Sequence, residues 1–219
     1  MEKRRILIIA LLISLGGCLP AQNTQPSYNL DYKVLKSLET RRTSFGEKSY
    51  TFLSNTLWVA PALPLAQGIK AAATGNKYLR YDALESTSAL LLCTGITMGI
   101  KSLVARPRPY VTYADSLHAV RPAVSLSFPS GHSSTSFCLA TSLALENPAW
   151  YVAVPAYLWA SGVAFSRLYL GVHYPTDVLT GIAIGVGSSL LAHWGRLERE
   201  KALGIPHVKT LSIPLVINL

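Results

Sequence analysis

Between residues 51 and 194 the chain carries five apolar stretches, at 51–74, 83–104, 133–145, 150–165 and 178–194, with very little charge inside them. Helices of that composition must either be buried on all sides or face lipid. Half of the chain is hydrophobic and only 14% is charged, against about a quarter in a usual soluble domain. Several stretches fall short of the roughly 20 residues of a spanning helix, so a soluble, fully buried bundle is the competing reading. The near absence of charge argues for a membrane, and so does the way the links between stretches sort by sign.

The N-terminal segment fixes the direction of counting. Glu2-Lys3-Arg4-Arg5 is a basic lead, residues 6–15 are apolar, and two processing signals follow. Leu15-Gly16-Gly17-Cys18 is similar to a lipoprotein box with Cys18 as the lipidated residue, and Leu19-Pro20-Ala21-Gln22 suits cleavage after Ala21. An uncleaved anchor helix is the third possibility. All three place Asn23 onward outside the cytoplasm. Counting from there, the 75–81 link falls inside with Lys77 and Arg80, and the tail falls inside with Arg196, Arg199 and Lys201, as the positive-inside rule requires. The 105–131 and 167–177 links fall outside, yet carry Arg106, Arg108, Arg121 and Arg167. That exception needs a reason, and binding a phosphate is one.

Three residue clusters lie at these outer ends. In the first, Lys101 sits in the last turns of its helix, and Pro107 disfavours helical geometry at Arg106, which leaves Arg108-Pro109 just beyond the helix end. A flexible ammonium and a planar guanidinium suit two different phosphate oxygens. The second is Phe128-Pro129-Ser130-Gly131-His132-Ser133-Ser134, a helix start with Ser130 as N-cap. A helix N-terminus offers free N–H groups to an anion, Gly131 lets backbone approach it, and His132 is placed to donate a proton. The third runs from Ser166-Arg167 through His173 to Asp177, with Pro175 in the first turn of a helix. Asp177, four residues after His173, can face back to it, fix its tautomer and sharpen the other ring nitrogen as a nucleophile. Together the clusters supply phosphoryl transfer with no metal or cofactor. The 11 acidic residues show no grouping with histidines at metal-ligand spacing.

Lys101-x6-Arg108-Pro109, Pro129-Ser130-Gly131-His132 and Ser166-Arg167-x5-His173-x3-Asp177 resemble the three-part signature of the type 2 phosphatidic acid phosphatase (PAP2) superfamily, over about residues 95–195. The resemblance implies an all-α, membrane-embedded bundle of five to six helices in which the clusters converge. It implies His173 as the nucleophile forming a phosphohistidine, Asp177 as its support and His132 as general acid. It implies Lys101, Arg108, Ser130, Gly131 and Arg167 as phosphate ligands. Vanadium haloperoxidases and soluble periplasmic acid phosphatases are similar in these motifs.

The resulting organisation is a signal peptide or anchor at 1–21, an extracytoplasmic linker with one short amphipathic helix at 22–50, a catalytic helical domain at 51–195 and a tail at 196–219. The expected function is phosphatase action on a membrane lipid of the lipid A, undecaprenyl diphosphate or phosphatidate class, in a bacterial inner membrane with the site facing the periplasm. A soluble or lipid-anchored periplasmic acid phosphatase is the alternative. The net charge of +9 lacks the clustering of a nucleic-acid surface. Cys93 and Cys138 are expected in the core. His118, His193 and His207 are expected outside the site. Gly95-x3-Gly99 and Gly181-x3-Gly185 point to close helix packing, and 210–219 reads as a short strand or a membrane-surface segment.

Overall fold

The computed structural model describes residues 29–204, and every regular element among them is helical. The leader segment, Cys18, His207 and the 210–219 stretch lie outside the described residues. Helix α1 spans Leu30–Glu39 and α2 spans Ser44–Asn55. Asn29 caps α1 by accepting from the Tyr32 N–H, and Thr43 caps α2 by accepting from the Gly46 N–H. The 22–50 region, read from sequence as a linker with one short helix, thus holds α1 and the first half of α2. It is tied down because α1 buries Leu35 against Tyr113, Leu117 and Tyr174.

The 51–74 stretch is not one helix. The chain leaves α2 at Asn55, makes a 3-10 turn over Thr56–Val59 and restarts as α3 over Ala62–Thr74. Pro61 explains the break, since it has no N–H to give and its ring obstructs the preceding turn. Gly75 ends α3 at φ 66°, and Asn76 starts α4, Lys77–Val104, by accepting from the Tyr78 and Leu79 N–H groups. A single turn, α5 (Pro109–Thr112), lies in the long connection to α6 (Gly131–Glu146). The bundle is completed by α7 (Trp150–Tyr169) and α8 (Pro175–Ala202).

Helix α6 is the central element, packed on α7, α8 and α4. Small residues let α8 come close. A Cβ at Gly181 would stand 2.6 Å from the Ser130 carbonyl oxygen, and one at Gly185 would collide with the Ser134 carbonyl and stand 2.8 Å from the Cys138 nitrogen. Serines along this seam bond across it: Ser189 Oγ donates to the Cys138 carbonyl at 2.7 Å, and Ser142 and Ser189 hydroxyls meet at 3.1 Å. Cys93 and Cys138 are buried free thiols, as expected. The Gly95/Gly99 pair departs from expectation, because a Cβ at either meets open space. Those two positions do not face a neighbouring helix.

The outside of the bundle is apolar. Leu84, Leu91, Met98 and Leu103 of α4, Val154 and Leu158 of α7, and Leu179 and Leu190 of α8 are all exposed. Two segments, Lys77–Thr112 and Pro175–Ala202, are long and apolar enough to cross a membrane. One end of the bundle joins the start of α4 to the end of α8, where Arg196 pairs with Asp82 and Glu85. The opposite end gathers the end of α4, the start of α6, the end of α7 and the start of α8.

The glycine seam makes a direct prediction. Gly185→Ala must push α8 off α6, and overpacking of this kind costs about 1–3 kcal/mol. Thermal unfolding in detergent should show a lowered midpoint for Gly185→Ala and none for Gly95→Ala, where a methyl has room.

Candidate active site

The three sequence clusters meet at that second end. Helix α4 stops at Val104 because Ala105 takes a left-handed conformation (φ 49°) and Pro107 keeps Arg106 out of the helical region. Arg108 follows in an extended conformation. Helix α6 begins on Ser130, which is fully buried and caps the helix by accepting from the Ser133 N–H. Gly171 reverses the chain after α7 at φ 72°, which delivers His173 and then Pro175 into the first turn of α8. The two N-termini are stitched together, since the Ser130 N–H donates to the Asp177 carbonyl at 3.0 Å.

His173 is 2% exposed. Its Nδ1 stands 3.4 Å from Asp177 Oδ2, and its Nε2 stands 3.4 Å from Arg108 Nη1. With the proton on Nδ1 facing the carboxylate, the Nε2 lone pair points at a guanidinium, the place where a phosphate would be held. Arg108 is fixed by three further bonds, from Nε to the Ser125 carbonyl (2.6 Å), from Nη2 to Ser125 Oγ (3.0 Å) and from Nη1 to the Val172 carbonyl (2.7 Å). Lys101 reaches across the mouth of α6, donating to the Leu126 and Pro129 carbonyls at 2.7 and 3.0 Å. Arg167 is buried and donates to Ser54 Oγ at 2.5 Å. His132, in the first turn of α6, lies within electrostatic reach of Arg108, Arg167 and His173. A side chain at Gly131 would meet nothing within 4 Å, so the backbone there borders open space.

Every residue expected at the site from sequence is therefore at this end of the bundle. Others were not foreseen. Asp177, fully buried, accepts from Ser127 Oγ (2.5 Å), the Tyr174 N–H (3.0 Å) and Arg106 Nη1 (2.7 Å) as well as facing His173. Arg106 was grouped in the sequence with the cations reserved for phosphate. The structure instead gives it to two carboxylates, Asp177 and, at 3.0 Å, Asp31. Ser54 and Asp31 come from the region ahead of the motifs, with no spacing signal to mark them. His118 and His193 stand apart from the site, paired with Glu39 and Glu85. Among the described residues, no three His, Cys, Asp or Glu side chains form a group able to hold a metal ion.

Burial pushes the His173 pKa down from 6.5 to about 4, and the charges of Arg108 and Arg167 add to that effect while Asp177 opposes it. The neutral imidazole, which alone can attack phosphorus, is the native form at neutral pH.

Fold and site together define a helical phosphatase of the membrane, a phosphoric ester hydrolase built on an all-α bundle. The chain belongs to the PAP2 superfamily, whose model matches residues 82–201. It is 27% identical to the undecaprenyl-diphosphatase BcrC of Bacillus subtilis, over 72% of this chain and 79% of that one. It is 28% identical to a lipid A 1-phosphatase of Rhizobium etli, over 81% of each. Among solved structures it is similar to a transmembrane PAP2-type phosphatidylglycerolphosphate phosphatase from Bacillus subtilis, with TM-score 0.68, 22% identity and coverage of 89% of this chain and 96% of the other.

A histidine whose pKa is lower in the folded chain binds its proton less well there than in the unfolded chain. Stability due to the neutral ring is complete above pH 6.5 and is lost as the pH falls toward about 4. Histidine NMR in detergent, with the His173 signal assigned by its loss in His173→Ala, should show the ring still neutral well below pH 6.5. A titration midpoint at or above 6.5 would contradict the burial argument.

Proposed function

We propose that this chain is a metal-independent phosphatase that hydrolyses a phosphate monoester or diphosphate of a membrane lipid through a phosphohistidine at His173. The observation that carries the reading is the neutral His173 ring, backed by Asp177 and aimed at Arg108, at the end of a bundle whose outer surface is apolar. That arrangement meets a phosphate at the surface of a bilayer while the rest of the substrate stays in lipid.

In the first step His173 Nε2 attacks phosphorus, the bond from phosphorus to the leaving oxygen breaks, and His132 gives that oxygen a proton. Burial and the charges of Arg167, His173 and Arg108 push the His132 pKa down to about 3. The proton it gives is therefore one taken up together with the phosphate dianion, whose charge opposes that push. In the second step water attacks the phosphohistidine, His132 takes the water's proton, the P–N bond breaks and inorganic phosphate leaves. Lys101, Arg108, Arg167 and the first turn of α6 at Ser130 and Gly131 hold the three non-bridging oxygens. They act most strongly on the charge that builds in the transition state. Asp177 holds the proton of Nδ1 and stabilises the positive ring as the P–N bond forms.

The related undecaprenyl-diphosphatase and lipid A 1-phosphatase support a substrate of the isoprenoid diphosphate or lipid A class. A periplasmic site is the orientation we propose. Lys77, Arg80, Arg196, Arg199 and Lys201 sit at the end away from His173, as the positive-inside rule asks of a cytoplasmic end. The basic residues of α1 and of the start of α2 lie at the site end, beside the cations proposed to bind phosphate. Detergent-purified protein should release phosphate from one or more lipid phosphates in a panel that includes both classes and water-soluble esters. Release should persist in excess chelator and stop with vanadate. Activity that disappears with chelator and returns with magnesium would overturn the mechanism.

The two histidines should differ on substitution. His173→Ala removes the nucleophile and should abolish turnover of every substrate. A general acid contributes about 10²–10⁴-fold, most of it when the leaving group is a poor one. His132→Ala should therefore lose far more rate on an alkyl phosphate than on a nitrophenyl phosphate, whose phenolate departs unprotonated, with a diphosphate between the two. Equal losses would make His132 a phosphate ligand rather than an acid.

A further inference from the structure

Behind the nucleophile's carboxylate lies a second ionic layer. Arg106 spans two buried acids. Its Nη1 bonds Asp177 Oδ1 at 2.7 Å, and its Nη2 bonds Asp31 Oδ2 at 3.0 Å. Thr176 closes the ring, accepting from Arg106 Nη1 at 2.7 Å and donating to Asp31 Oδ2 at 2.7 Å. The Thr176 N–H, free in the first turn of α8, donates to Asp31 Oδ1 at 3.2 Å. The guanidinium lies 3.7 Å over the Tyr174 ring. Thr176 and Asp177 open α8 just after His173, Arg106 follows the end of α4, and the fourth member is Asp31. That residue belongs to α1, well ahead of the 82–201 region that the family model matches.

We infer that Asp31 and Arg106 are positioning residues for phosphoryl transfer, a carboxylate–guanidinium pair that locks Asp177 in the orientation which holds His173 for attack. The inference rests on the reading of His173 as nucleophile. Asp177 is fully buried, and a buried carboxylate needs a charge partner to remain ionised and fixed. Its Oδ2 already serves His173, Ser127 and the Tyr174 N–H. Arg106 is the partner for Oδ1, and it fixes rotation about the carboxylate. A guanidinium held on Nη1 alone could pivot toward solvent, since its side chain is 27% exposed. Asp31 takes the second arm, Nη2, opposite Asp177 and Thr176 on Nη1, and the rigid fork of the guanidinium couples the two arms. Leu35, one helical turn further along α1, packs against Tyr174 and keeps Asp31 in place. Helix α1 therefore clamps the catalytic hinge from outside the matched region.

The test uses full-length protein in detergent, with turnover of the most active substrate and inhibition by inorganic phosphate measured in parallel. Partners that orient metal-binding side chains typically contribute about 10–100-fold, and we expect a comparable loss for partners that orient this carboxylate. Arg106→Gln should lower kcat by about that factor and leave the phosphate inhibition constant unchanged, because the oxygen-binding cations are untouched. Arg106→Lys should restore part of kcat. Asp31→Asn should act in the same direction, and the double variant should be no worse than Arg106→Gln alone, as expected for residues acting through one another. If Arg106→Gln does not accumulate, Thr176→Val removes the bridging hydroxyl and keeps both charges. It should lower kcat, again with phosphate inhibition unmoved. Unchanged kcat in these variants would overturn the inference, as would kcat and phosphate affinity lost in step, or purely additive losses in the double variant. Wild-type protein inactive on every phosphate would instead overturn the proposed function. Active wild type, inactive His173→Ala and a fully active Arg106→Gln would overturn only the positioning role.

Discussion

The buried carboxylate of Asp177 is the constraint around which this end of the molecule is built. A charge with no solvent access is tolerable only when several donors surround it, and here they come from four directions. The Tyr174 N–H makes Asp177 a cap for α8. Ser127 brings in the loop that precedes α6, Arg106 brings in the end of α4, and His173 is the functional partner. The Asp177 backbone also receives the Ser130 N–H, so the helix carrying His132 and the helix following His173 start from one point. The same interaction thus satisfies a desolvated charge, caps a helix and sets the spacing between the two histidines.

The seam between α6 and α8 transmits that geometry into the bundle. In lipid there is no hydrophobic gain from pressing apolar helices together, so close association rests on small residues and interhelical hydrogen bonds. Gly181 and Gly185 provide the approach and Ser142 and Ser189 provide the bonds, while Thr97 of α4 donates to Ser134 on another side of α6. At the far end, buried Glu85 is held by His193 and Arg196, with Asp82 and Glu200 on the same guanidinium. Glu146 bonds Ser86 and Gln67 there. Ionisable groups within a membrane bundle are costly unless paired in this way. The two ends therefore use charge differently. The far end neutralises it internally, while the site end keeps Lys101, Arg108 and Arg167 on carbonyl and hydroxyl acceptors, without an acidic partner among the bonds described above.

Membership of the PAP2 superfamily and the helical frame agree with the phosphatase activity expected from the motifs, and the relatives are named for lipids of more than one class. The N-terminal helices are the part of the described chain that lies ahead of the matched region. They touch the site twice, through Ser54 on Arg167 and Asp31 on Arg106.

The sequence by itself determined the fold class, the phosphatase family and the ends of the helices that carry its motifs. Pro107, Ser130, Gly171 and Pro175 act locally, through backbone restriction and capping, so the placement of Arg108 and His173 just outside helix ends, and of His132 in a first turn, was legible. So was the i, i+4 relation of His173 and Asp177, which a helical start imposes. Pro61 was equally visible, yet its effect was missed because the apolar run continues through it unbroken. The tertiary structure alone decided the rest. Gly95/Gly99 and Gly181/Gly185 have the same spacing, and only the choice of neighbouring helix makes one a packing seam and the other a face with open space beside it. Arg106 and Arg108 have the same residue type two positions apart, and nothing local assigns one to carboxylates and the other to the nucleophile's ring. Asp31 lies 146 residues from Asp177 in the chain, counted as 177 − 31. Contacts of that range arise from packing α1 against the hinge, which no periodicity or capping rule encodes.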